Sequence, residues 1–98
     1  MEMDLEDLMN YAQEYEHKYY STIEEGLPKG KINFTQKLVT YNPLYNEEGQ
    51  TLCHEMMHHH YIQVKGVDVP EEIVESEGLR LYHQWPQEIN KYVRTLLK

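Results

Sequence analysis

Over the first quarter of the chain, apolar residues recur at helical spacing. Leu5, Leu8, Met9, Ala12, Tyr15, Tyr19 and Ile23 stand among acidic side chains, which predicts one amphipathic helix over residues 4–23. Residues 24–30 carry Gly26, Pro28 and Gly30, which end the helix and turn the chain. Residues 31–41 then shift to β-branched and aromatic types around polar Thr35-Gln36-Lys37, predicting a small antiparallel ribbon. Asn46 followed by Glu47 and Glu48 reads as the N-cap and acidic first turn of a second helix. Leu52, Cys53, Met56, Met57, Tyr61 and Val64 form its apolar stripe, while His54 and His58 share a direction well away from the stripe's centre. Lys65-Gly66 closes it. Pro70-Glu71-Glu72 opens a third helix running to about Trp85, and Pro86 restarts the chain as a short terminal helix. The succession is α+β: one minimal, mostly helical domain over residues 1–98, three to four helices with a small ribbon, without repeats or linkers.

The second helix carries candidate chemistry. His54-Glu55-Met56-Met57-His58 is an H-E-x-x-H sequence. Two histidines four apart point the same way, so both imidazoles reach one zinc ion, while Glu55, about 100° around the helix, is free to act as general base. A shuffle of this composition yields such a sequence roughly one time in twenty, so its setting on a helix with a separate core face matters. A catalytic zinc site takes three protein ligands and leaves the fourth position to water. The third ligand is sought among Glu71, Glu72, Glu75 and Glu77 on the next helix. Taking Ile73, Val74, Gly78, Leu81, Tyr82 and Trp85 as its inward side favours Glu77, with Glu75 as the alternative and the other two behind. His59 and His60 read as packing residues, as does Cys53. Tyr82 and Tyr92 are the candidates to stabilise an oxyanion, though a core role suits each at least as well.

Charge narrows the partners. The 98 residues hold 17 acidic and 9 basic side chains, a formal charge of −8, which repels a phosphate backbone and argues against nucleic acid. No stretch has the length and apolarity of a membrane span, and the acidic start lacks a secretion signal, so a soluble cytoplasmic protein is expected. The single cysteine excludes an internal disulfide.

His54-Glu55-Met56-Met57-His58, then eighteen residues, then Ser76-Glu77-Gly78-Leu79 resembles the gluzincin pattern of zinc metallopeptidases, and the whole layout resembles the prokaryotic minigluzincins. The resemblance implies a zincin-like fold and one zinc ion held by His54, His58 and Glu77. It implies Glu55 as general base and acid in the hydrolysis of an extended peptide or protein. Setting Glu75-x-x-Gly78 against the Glu-x-x-Ala-Asp of membrane relatives would make Glu75 the ligand, but Leu79 stands where the aspartate belongs. No Gly-x-Met-Glu-Asn segment is present to grip a substrate amino terminus, so an endopeptidase is expected rather than an exopeptidase. In such a fold, residues 38–41 border the cleft and pair with the peptide by strand addition. Small members are held latent by terminal segments; residues 92–98 would occlude the cleft here, with a homodimer as the other self-association expected. Two rival functions stay open: a non-catalytic zinc-containing module that binds peptides, and a regulatory H-E-x-x-H protease that cleaves a repressor.

Overall fold

The computed structural model describes residues 2–98; Met1, at the head of the acidic start, lies outside the described residues. Asp4 opens the first helix with a reciprocal cap. The Asp7 N–H donates to Asp4 Oδ1 at 2.8 Å, and the Asp4 N–H donates to Asp7 Oδ2 at 3.3 Å. The helix, α1 (Leu5–Ala12), stops well short of the predicted end. Residues Glu16–Tyr19 form a strand instead, β1. The periodicity misled because positions four apart share a face in a strand as well as in a helix. From Tyr15 the burial alternates, with Tyr15 and His17 inside and Glu16 and Lys18 outside. His17 fixes the changeover: its Nε2–H donates to the Ala12 carbonyl at 2.8 Å, and its Nδ1 accepts from the Tyr41 hydroxyl at 2.8 Å.

The predicted ribbon is β2 (Gly30–Asn33) and β3 (Leu38–Tyr41), paired antiparallel with Ile32 opposite Val39. Its turn is fastened by Asn33 Oδ1, which accepts the Gln36 N–H at 2.9 Å, and Lys37 adopts a left-handed φ of 53°. β1 joins the other side of β3 in parallel, His17 beside Val39, so the sheet is mixed with order β1-β3-β2. β3 is therefore the middle strand and both its edges are occupied. The expectation that residues 38–41 take up a peptide is corrected, because a strand hydrogen-bonded on both sides has no ladder left to offer. The outer edges belong to β1 and β2.

Among the described residues four α-helices accompany the three strands, a small α+β fold. The motif helix α2 (Glu48–His59) starts after Glu47 rather than Asn46, whose φ of 51° puts it in a left-handed turn instead of a capping position. It continues as a π-helical turn over His60–Val64, where the Lys65 N–H reaches the His60 carbonyl at 3.0 Å. α3 (Glu71–Gln84) and α4 (Pro86–Leu96) share Trp85 as a joint. α2 is the hub: its Leu52, Cys53 and Met56 are fully buried among Leu8 of α1, Val39 and Tyr41 of β3, Val74 of α3 and Ile89 of α4. Truncating such a side chain to alanine costs about 2–5 kcal/mol. α4 belongs to this core, with Ile89 and Val93 buried and the Tyr92 hydroxyl donating to the Met9 carbonyl at 3.0 Å. The terminal segment is thus a packed element and not an occluding tail. No helix among the described residues is long and apolar enough to cross a membrane.

Candidate metal centre and its cleft

Gly78 brings α3 against α2. A Cβ on Gly78 would lie 3.3 Å from both the Cα and the amide nitrogen of His54, so only glycine lets the helices approach this closely at the motif. On the opposite side Gly30 brings β2 down onto α2, where a Cβ would overlap the Thr51 methyl. Between these two approaches lies a cleft of about 410 Å³. Its floor is Gln50, Thr51, His54, Glu55 and His58 of α2, with Pro28, Lys29 and Gly30 on one wall and Glu71, Glu75 and Leu79 on the other.

His54 and His58 do share a direction, as the spacing requires, and Glu71 closes on both. His54 Nε2 lies 2.7 Å from Glu71 Oε1, and His58 Nε2 lies 3.4 Å from Glu71 Oε2. One ligand atom from each of the three residues falls within 4.8 Å of the others, so the group can hold a metal ion. Ligands about 2.0–2.2 Å from a tetrahedral ion stand about 3.3–3.6 Å apart, a spacing these atoms reach with small side-chain movements. The other nitrogen of His54 is also engaged, with Nδ1 2.9 Å from Glu75 Oε2. A carboxylate only accepts, so the Nδ1 that faces Glu75 donates its proton there, and the Nε2 that faces Glu71 meets a second acceptor. Two acceptors at 2.7 Å require a cation between them, a proton or a metal ion. The donor set of two imidazoles and a carboxylate fits a divalent transition metal.

Glu55 stands apart from this group. It is 4% exposed, and its Oε1 is 3.9 Å from His54 Nε2. Burial, and then the negative charge of Glu71, push its carboxyl up to about 8. Burial pulls the His58 imidazole below its usual value, partly countered by Glu71, which favours the neutral form a metal needs. Cys53, though next to His54, points into the core, where burial pushes its thiol up to about 12 and keeps it unreactive.

Glu77, the first choice for third ligand, is not in the group. Its carboxylate is paired with Arg80, which also holds Glu2 at 2.8 Å. The preference for Glu77 followed the eighteen-residue spacing and counted Ile73, which is 42% exposed, as inward; the buried side of α3 is Val74, Gly78 and Leu81, and Glu71 lies nearer its centre. Glu71 precedes Gly78 by seven positions, about 20° around the helix, whereas Glu77 is about 100° away. The signal in the sequence was Gly78 itself, as a marker of the contacting face. Glu75 reaches His54 on its outer nitrogen rather than joining the three. Tyr82 and Tyr92 do not line the cleft; the Tyr82 hydroxyl accepts from Asn90 Nδ2 at 2.9 Å, and Tyr92 is bonded to Met9. His59 and His60 are buried, each with Nδ1 on a tyrosine hydroxyl of the α1 side, Tyr15 at 2.7 Å and Tyr11 at 3.1 Å.

In comparison with known proteins, no family model, no curated protein and no solved structure matches this chain. The functional reading therefore rests on the geometry of the site.

Proposed function

We propose that this protein is a zinc-dependent peptidase of gluzincin character, with His54, His58 and Glu71 as zinc ligands. The observation that carries the reading is a three-residue ligand group in an open cleft beside a buried carboxyl, Glu55, that is not a member of the group. Two imidazoles and one carboxylate leave a tetrahedral ion one position for solvent, the arrangement of hydrolytic rather than structural sites. When bound, zinc lowers the pKa of a water ligand from 15.7 to about 7 and polarises a carbonyl.

The protein groups divide the remaining work. Glu55 takes the proton from the attacking water as its oxygen bonds to the peptide carbonyl carbon, then delivers that proton to the amide nitrogen as the C–N bond breaks. In the metal-free protein burial holds its carboxyl up to about 8, so the charge of a nearby bound cation would be what leaves it ionised for the first transfer. Glu75 accepts from His54 Nδ1–H and so fixes the ring with Nε2 toward the ion. The open edge of β2 supports an extended substrate. Because the Asn42 N–H donates to the Lys29 carbonyl at 2.8 Å, ladder alternation turns the backbone groups of Gly30 and Ile32 outward, and Gly30 lines the cleft.

Zinc analysis paired with digestion of an unfolded protein tests this. Wild type and Glu55→Gln are each expected to retain one zinc per chain. Only wild type should cleave reduced, unfolded casein, and the variant should fall by at least about 100-fold. Equal cleavage by both removes the role given to Glu55. One zinc per chain with no cleavage by wild type leaves a metal-bearing peptide-binding module instead.

A further inference from the structure

We infer that Gln50 binds the main chain of the substrate, so that the cleft takes an extended polypeptide of several residues and not a single amino-acid derivative. The inference rests on the peptidase reading and adds a recognition group to it. Gln50 precedes His54 by one helical turn and His58 by two, so all three side chains leave α2 on the same face and line the same cleft. Side chains four apart on a helix lie about 6 Å from one another, roughly two peptide units of an extended chain allowing for its tilt. A substrate whose scissile carbonyl sits at the histidines therefore passes Gln50 with a neighbouring residue.

The other polar groups of the cleft are committed elsewhere. His54, His58, Glu71 and Glu75 form the metal group, and Glu55 is the base. Lys29 is paired with Glu47 at 3.1 Å, its ammonium also 5.6 Å from the Tyr45 ring centre. Thr51 is buried under Gly30, its methyl against the strand. Gln50 is half-buried and its carboxamide has no partner of this kind. A carboxamide carries both an N–H donor and a carbonyl acceptor, the same pair a peptide unit presents, and it is neutral, so it grips a backbone without choosing among side chains. With the β2 edge on the far wall, the substrate would be held from two sides.

Two hydroxamates of different length separate this role from metal binding. Acetohydroxamate reaches only the ion, whereas acetyl-Ala-Ala-Ala-hydroxamate lays a main chain along the cleft. Binding of each to zinc-loaded wild type, Gln50→Ala and Gln50→Glu is measured by calorimetry. The tripeptide hydroxamate should bind wild type more tightly than acetohydroxamate, and Gln50→Ala should weaken it about tenfold, or about 1.4 kcal/mol, while acetohydroxamate is unchanged. Gln50→Glu, which keeps length but loses the donor, should weaken the tripeptide probe as well. Equal affinity of wild type for both probes overturns the inference while leaving the zinc site intact, as does a Gln50→Ala protein that binds the tripeptide probe like wild type. A wild type that takes up no zinc overturns the peptidase reading itself, a different and prior failure.

Discussion

Four histidines fall within seven residues, His54, His58, His59 and His60, and the two pairs meet opposite fates. The first pair faces α3, where every near partner is a carboxylate: Glu71 on both rings and Glu75 on the second nitrogen of His54. The second pair faces α1, where the partners of Nδ1 are phenols, Tyr15 and Tyr11. A carboxylate only accepts, so a neutral imidazole set against two of them leaves lone pairs facing each other and calls for a cation. A phenol brings its own proton. Glu14, 3.7 Å from His59 Nε2, favours a proton there, so Nδ1 accepts from the Tyr15 hydroxyl and the ring is satisfied without an ion. Competence to bind metal is thus set by what the neighbouring helix presents, not by the imidazoles themselves.

The largest effect expected from this difference is on zinc affinity. His54→Ala or Glu71→Gln should weaken zinc by about a thousandfold or more, whereas His59→Ala should leave it within about twofold, read by competition with a chromophoric chelator. Glu77→Gln belongs with His59→Ala, because Arg80 already holds that carboxylate away from the group. Loss of zinc from Glu77→Gln together with its retention by Glu71→Gln would return the third ligand to Glu77 and sink the assignment.

The next effect is on stability without metal. Glu55 has its folded value raised to about 8 from the ordinary 4.5, so between those values the folded chain holds a proton that the unfolded chain has released. Metal-free wild type should therefore lose stability as pH rises from about 4.5 through 8, by a few kcal/mol in order of magnitude. Glu55→Gln, neutral at every pH, should flatten that slope in urea titrations; an unchanged slope would show that Glu55 is not held in its protonated form. Smaller still is the effect of Glu75→Ala, which frees the outer nitrogen of His54 and should weaken zinc about 10- to 100-fold while leaving the fold intact. No loss would mean that packing alone orients the ring.

The same contrast separates what could be read in the sequence from what could not. The H-E-x-x-H spacing fixes the direction of His54 and His58 because the helix is rigid and both lie on it. The two-stranded ribbon and the restart at Pro86 were local too, written in β-branched runs and a ring that cannot continue a helix. What failed depended on partners distant in sequence. The spacing of Tyr15, Tyr19 and Ile23 fits both periods, and over residues 16–19 pairing with β3 decided for a strand. Glu71 and Glu77 differ only in rotation about α3, and what decides between them, the close approach of Gly78 to His54, is a contact between two helices distant in sequence.

The smallest prediction tests the phenol side of the comparison. Tyr15 is 6% exposed and its hydroxyl is 2.7 Å from His59 Nδ1. Tyr15→Phe keeps the ring, its edge contact with His59 and the Lys37 ammonium over its face, and removes only the donor. A buried imidazole nitrogen is then left without its proton, which costs about 1–3 kcal/mol. Tyr19→Phe is the matching control, since its hydroxyl donates to Glu48 at 3.1 Å from an exposed position where water can substitute, and about 0.5 kcal/mol or less is expected. Urea midpoints of the two variants should differ accordingly, with zinc affinity unchanged in both. If Tyr15→Phe lowered zinc affinity as much as Glu75→Ala does, the two histidine pairs would be acting as one network, and the independence argued from their partners would be lost.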